Sequence, residues 1–220
     1  MTSTVLIIDI CGTLYQSNTT FDFIKYHFGT KRRYKIIGLL RKNRVICKLN
    51  HIFFKLTGCD IMRMELIQLL CGYSKNELSK KVSEFYEKFL LPRKNLDCFG
   101  VIDRYRNKGA QLILVSATLD IIAEEVSRME NVPIWAASEL LFKEGCCSGK
   151  LGCDLLKGKL EKTLELTGGI SFDVITDNYG DADIIRASKH AYLVQYDNKR
   201  DKWARYLNQN TLMKCEYIRI

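Results

Sequence analysis

Apolar positions along this chain follow two rhythms. Short unbroken runs bounded by turn residues mark buried strands, and stripes at helical spacing mark amphipathic helices. The first run, Val5-Leu6-Ile7-Ile8, stops at Asp9 and is followed by Gly12 and Thr13. Similar runs predict strands at 111–115, 132–136, 172–176 and 191–194. Between the first and second runs the rhythm is helical. Asn18-Thr19-Thr20 is a capping start. Val45, Leu49, Ile52 and Leu56 make one stripe with Ile46 and Phe53 beside it, and Val82, Phe85, Tyr86, Phe89 and Leu90 make another. Gly29, Gly58 and Gly72 mark helix ends and Pro92 closes the region, so about four helices are expected over 16–94. Further helices are predicted at 97–109, 120–129, 157–166 (Leu160 and Leu164 inward), 182–188 and 201–207, with a hairpin at 141–151 turning at Gly145 and Gly149.

Strands alternating with helices predict an α/β protein, a doubly wound parallel sheet covered on both faces. Residues 1–15 and 95–220 form the expected core, and 16–94 an inserted all-α cap domain. At 220 residues, 47% hydrophobic and 27% charged, the chain has the length and composition of a globular protein with a substantial core. No apolar run reaches the ~18 residues of a membrane span. The amino terminus has no charged leader pattern, so a cytoplasmic location is expected. Nine scattered cysteines without a CxxC pair read as reduced, mostly buried thiols. His27, His51 and His190 lie too far apart in sequence to suggest a zinc site.

Charge is unevenly placed. Residues 18–95 hold 17 Lys and Arg against 6 Asp and Glu, leaving 17 against 19 elsewhere. No acidic residue lies between Asp22 and Asp60. A solvated helix face and an anion-attracting patch both fit this bias. The interleaved apolar clusters Ile36-Ile37, Leu39-Leu40 and Ile52-Phe53-Phe54 favour an interfacial helix on an anionic membrane surface. Nucleic acid is not expected, since no motif for it is present.

The chemistry concentrates where strands end. In a parallel sheet the carboxyl ends share one edge, the usual ligand edge of open α/β sheets. Asp9, Ser116 and Asp177 all fall there, with Asp181 four residues beyond Asp177 and Lys157 at a helix start. Facing carboxylates repel, and a hard cation such as Mg²⁺ removes the conflict. A carboxylate nucleophile, a cation and a lysine form a kit for phosphoryl transfer: Asp9 attacks phosphorus. Lys157, Ser116 and backbone N–H groups then hold the phosphoryl oxygens.

These stretches resemble the motifs of the haloacid dehalogenase superfamily. Asp9-Ile10-Cys11-Gly12-Thr13 is similar to its Asp-x-Asp-x-Thr motif, Ser116 to its second motif, and Asp177-Asn178-Tyr179-Gly180-Asp181 to its acidic fourth motif. For the third, Lys157 fits the helix start best, ahead of Lys159 and then Lys162. The helical insertion resembles the cap of the phosphoserine phosphatase-like branch, and the likeness spans roughly residues 5–188. It implies a Rossmann-like core and a Mg²⁺-dependent phosphohydrolase or phosphotransferase acting on a phosphorylated small molecule through an aspartyl phosphate at Asp9. It further implies catalytic Asp9, Cys11, Ser116 and Lys157. Phosphate would be bound by Gly12, Thr13, Ser116, Ala117 and Lys157. The metal would lie at Asp9, Cys11 (through its carbonyl), Asp177 and Asp181, the last as ligand or supporting group.

One position departs from the pattern. The family's phosphatases carry their general acid–base Asp two residues after the nucleophile, and here that residue is Cys11. A thiol with a pKa near ~8.5 is a poor substitute, so weakened acid–base catalysis is expected. A catalytically impaired module that binds a phosphorylated ligand, its basic cap docked on an anionic partner or membrane, is the second reading. Dehalogenation ranks last, because the superfamily's dehalogenases need no metal and the acidic loop is intact here.

Overall fold

The computed structural model describes residues 4–220; the first three residues of the amino-terminal segment read for a leader lie outside them. The first strand, Val5–Ile8 (β1), is at most 1% exposed at every position. Leu6 and Ile8 face one core layer, and Val5 and Ile7 face the other. A strand buried on both faces is read as an unbroken apolar run for this reason.

Helices fill the space before the second strand: Thr19–Phe28 (α1), Arg32–Lys42 (α2), Arg44–Thr57 (α3), Ile61–Ile67 (α4) and Lys75–Phe85 (α5). A π-helical turn at Tyr86–Leu90 and a 3₁₀ turn at Leu91–Arg93 end the region. There are five α-helices here rather than four. Asn43 alone separates α2 from α3; it terminates the first, and its side chain accepts the Val45 and Ile46 N–H groups of the second. The expected start at Asn18 is the observed cap of α1.

The core resumes with Leu96–Asn107 (α6), Gln111–Leu119 (β2), Asp120–Glu130 (α7), Ile134–Lys143 (β3), Cys146–Cys153 (β4) and Lys159–Thr167 (α8). Phe172–Thr176 (β5), Ala182–Ala187 (α9), Ala191–Gln195 (β6), Gln209–Leu212 (α10) and Cys215–Arg219 (β7) follow. The sheet order is β4-β3-β2-β1-β5-β6-β7, parallel except for the β3–β4 hairpin. Strand β1 lies between β2 and β5, with Ile8 opposite both Leu114 and Ile175. Asp9 and Asp177 therefore leave two adjacent strands within one residue of one level, and Ser116 lies beside them inside β2, which runs four residues past its predicted end at 115.

Four expectations need correction. Residues 201–207 form only a 3₁₀ turn at Trp203–Arg205, because Trp203 sinks fully into the core and Asp201 accepts its N–H. Strand β7 was not anticipated; as an edge strand it buries only Ile218, so its apolar signal is faint. Leu164 points outward at 45% exposure. All nine cysteines are free thiols, but only Cys98 and Cys147 are buried. Among the described residues no helix is long and apolar enough to cross a membrane.

Candidate active site

Asp9 follows β1 directly, and its backbone N–H donates to Ile175 O at 3.1 Å, extending the ladder by one residue. Its carboxylate is 4% exposed and accepts from the Lys159 ammonium at 2.9 Å. The same ammonium donates to Asp181 Oδ2 at 2.9 Å, and the Thr176 hydroxyl donates to that oxygen at 2.7 Å. Burial works against the Lys159 charge, but Asp181 and Asp9 overcome it and hold its pKa above the ordinary lysine value. Burial raises the Asp9 pKa, and the Lys159 charge opposes that rise.

Lys157 does not take this place. Its ammonium donates to the Lys55 carbonyl at 3.3 Å and sits 5.0 Å from the Phe54 ring centre, on the cap side and exposed. Lys159, ranked second from the sequence, is the lysine that enters the site, and Lys162 pairs with Glu165 on the surface. Helix α8 starts at Lys159, and its buried positions are Lys159, Thr163 and Thr167, spaced by four. Of this polar stripe Lys159 reaches the site, while Leu160 packs partly buried against the core as expected.

Asp177 is tied to the first loop. Its N–H donates to Thr13 Oγ1 at 3.0 Å, and the Thr13 hydroxyl reaches Asp177 Oδ1 at 3.4 Å. Gly12 has φ +72°, and a Cβ there would meet Asp177 Oδ2 at 2.2 Å. Glycine is therefore required by both conformation and space. Asn95 donates to Thr13 O at 3.1 Å and the Tyr196 hydroxyl to Gly12 O at 2.6 Å, fixing the loop from both sides. Burial and the neighbouring Asp9 charge push the Asp177 pKa up to about 7. Asp181 meets Lys159 and Thr176, which places it as a support of the lysine, one of the two places expected of it.

Ser116 is fully buried inside β2, which continues to Leu119; the β2–β3 register shifts between Val115 and Leu119. Its Oγ accepts the Thr118 N–H at 3.4 Å. Ala117 follows it, and its carbonyl accepts from Arg63 of α4 at 2.7 Å. Arg63 also meets Asp154 at 2.6 Å, latching the cap to the core beside Ser116. Sequence reading missed this latch, because an arginine inside a basic region and an aspartate after a strand carry no pairing signal.

Cys11 is half-buried, with its sulfur 2.7 Å from Thr19 Oγ1, which lies 2.6 Å from Thr118 Oγ1. Burial and the Asp9 charge push the thiol pKa up, so the group is a protonated thiol at neutral pH. A cavity of about 620 Å³ opens over Cys11, Gly12 and Asp177, edged by Asn178, Tyr196 and Lys199. Asp9, Ser116 and Lys159 are buried in the protein and do not line it.

The fold has relatives of known structure. A protein of unknown function from Bordetella pertussis Tohama I shares 16% identity over 88% of this chain and 91% of its own, with a TM-score of 0.69. A phosphoserine phosphatase in apo form shares 15% identity over 87% of this chain and 86% of its own, TM-score 0.59. Cytosolic 5'-nucleotidase IIIB bound to cytidine shares 13% over 89% and 74%, TM-score 0.56. No curated protein matches the chain in sequence. The family model of haloacid dehalogenase-like hydrolases matches residues 6–181, from β1 to the acidic loop that meets it across the sheet, and the chain belongs to that family.

Proposed function

We propose that the protein is a Mg²⁺-dependent phosphohydrolase or phosphotransferase acting on a phosphorylated small molecule, with Asp9 as nucleophile. The carrying observation is the contact of Asp9 with a buried lysine, together with an Asp177 carboxyl close enough for the Asp9 charge to raise its pKa. The phosphatase and nucleotidase names among the structural relatives support this reading.

The residues suit a hard cation. Asp177 is half-buried, feels the Asp9 charge and forms no salt bridge among the described residues, so a cation there would meet two carboxylates that otherwise repel. Among the described residues no three His, Cys, Asp or Glu side chains come together as a metal cluster; a Mg²⁺ ion, which keeps several waters and needs only one or two carboxylates, would be held by Asp9, Asp177 and the Cys11 carbonyl. Bound Mg²⁺ would neutralise the carboxylates and draw charge from the phosphoryl oxygens.

The chain's own groups perform the rest. An Asp9 oxygen forms a bond to phosphorus as the ester oxygen leaves, giving an aspartyl phosphate. Lys159 and the Ser116 hydroxyl stabilise the added negative charge at fixed positions. Water, or an acceptor alcohol, then takes the phosphoryl group and restores the carboxylate. Cys11 cannot take a proton as Asp would, so esters whose leaving group departs as a stable anion are preferred. Release of a phenol from an aryl phosphate in Mg²⁺ tests the reading. Asp9→Asn should abolish it, and an unchanged rate in that variant overturns the assignment.

Cys11 also favours a second reading, a module that binds a phosphorylated ligand without turning it over. Tight binding of vanadate or phosphate with no turnover across a panel of phosphate esters would select it.

A further inference from the structure

We propose that α2 and α3 dock the protein on an anionic lipid bilayer. Helix α3 has fourteen residues and buries none of them. Its apolar stripe stands in water: Leu56 is 80% exposed, Val45 64%, Leu49 61% and Ile52 54%. Arg44, Lys48, His51 and Lys55 each precede one of these residues by a single position. At about 100° per residue a second stripe therefore runs beside the first, polar throughout and cationic at three of its four positions. Helix α2 adds exposed Ile36, Leu39 and Leu40. Between the helices lies an apolar groove of about 650 Å³ lined by Ile36, Leu40, Leu49, Ile52, Phe53 and Leu56.

Charge selects the occupant. No acidic residue lies anywhere from 23 to 59, a stretch with ten Lys and Arg. A second copy seated on this patch would set like charges against each other, because a two-fold interface pairs a patch with itself. Nucleic acid would match the charge but has no use for a wide aliphatic stripe, and Phe53 alone offers a ring among the exposed large apolar side chains of α3. An anionic bilayer satisfies both features: the apolar stripe enters the headgroup–acyl boundary, and the cations stay at the phosphate level. The carboxyl end of α3 touches Lys157, two residues before the site lysine Lys159. Docking by this face therefore brings the site's lysine loop close to the lipid surface. The proposal does not depend on catalysis.

The test is sedimentation of the full chain with phosphatidylglycerol/phosphatidylcholine vesicles and with phosphatidylcholine vesicles alone. Recovery with the anionic vesicles only is expected. Leu49→Glu/Ile52→Glu should abolish it, and Lys48→Glu/Lys55→Glu should weaken it, by roughly fivefold for each charge lost. None of these side chains is buried, so far-ultraviolet dichroism should be unchanged. Equal recovery with both vesicle types, no recovery with either, or undiminished recovery of the Leu49→Glu/Ile52→Glu variant overturns the proposal. So does a dimer in sedimentation equilibrium that Leu49→Glu/Ile52→Glu dissociates, since a second copy would then cover the face.

Discussion

The Lys159 ammonium lies 2.9 Å from Asp9 Oδ1 and 2.9 Å from Asp181 Oδ2, with all three side chains at most 7% exposed. One cation is thus shared between Asp9, the proposed nucleophile after the first strand, and the acidic loop after the fifth. Lys159→Met should lower kcat for an aryl phosphate by about 10²–10³, the usual cost of losing one fixed charge stabiliser. It should also lower Tm, because two buried carboxylates lose their partner. Lys157→Met, two residues away but facing the cap, should change kcat less than about twofold. Steady-state kinetics on the two variants separates the assignments, and a larger loss at Lys157 would reverse them.

That contrast shows what the residue pattern could and could not carry. Strands β1, β5 and β6 were legible, because a strand covered on both faces is largely apolar, as Val5 to Ile8 are. Asp9 and Asp177 were legible as strand-end residues for the same reason, while Ser116, read as a strand end, lies inside β2. Strands β2 and β3 run four and seven residues past their predicted ends, where polar residues such as Ser116 and Glu139 interrupt the apolar run. Lys159 was missed as first choice because helical phase was judged from Leu160 and Leu164, whereas the inward stripe is Lys159, Thr163 and Thr167. Strand β7 and the Arg63–Asp154 pair were invisible, since one is an exposed edge and the other joins residues 91 positions apart.

Cys11 sets the second prediction. Its sulfur contacts Thr19 and its thiol stays protonated at neutral pH. A carboxylate at this position would accept from the Thr19 hydroxyl and could exchange a proton with the leaving group. Cys11→Asp should raise kcat on alkyl phosphates by about 10²–10⁴, the range of general acid–base help, and change aryl phosphate turnover far less. A plot of log kcat against leaving-group pKa should become flatter in the variant. An unchanged slope in a folded Cys11→Asp protein would remove acid–base loss as the explanation.

Asp177 links the site to stability. Its pKa is pushed up to about 7 in the folded protein from an ordinary 3.8. Between those values the folded state binds more protons than the unfolded state, so this group's contribution is full at low pH and is lost as pH rises through 7. In EDTA the Tm should fall from pH 5 to pH 8 more steeply in the parent than in Asp177→Asn, with an upper limit of about 3 kcal/mol between those pH values, since only the span from pH 5 to the folded pKa contributes. Mg²⁺ competes with the proton, so it should raise Tm more at pH 8 than at pH 5, and not in Asp177→Asn. Thermal melts in EDTA and in Mg²⁺ at both pH values check each part.

Arg63 and Asp154 govern how the cap is held. The Arg63 side chain is 5% exposed and Asp154 is 28% exposed. Arg63 also donates to Ala117 O at 2.7 Å and to Ser138 Oγ at 3.1 Å. The two truncations are therefore unequal. Arg63→Ala frees a carboxylate that reaches water and keeps the Ser138 hydroxyl and the Leu156 N–H as donors. Asp154→Ala strands a guanidinium among neutral acceptors, the costlier state for a buried charge. Urea unfolding should give a loss of about 3–5 kcal/mol for Asp154→Ala and a smaller one for Arg63→Ala. The double variant should be less destabilised than the sum of the two, because the second truncation removes the charge that the first leaves unpaired. Additive losses would mean that the pair does not act as a unit, and a greater loss for Arg63→Ala would mean that its contacts to Ala117 and Ser138, beside Ser116, outweigh its charge.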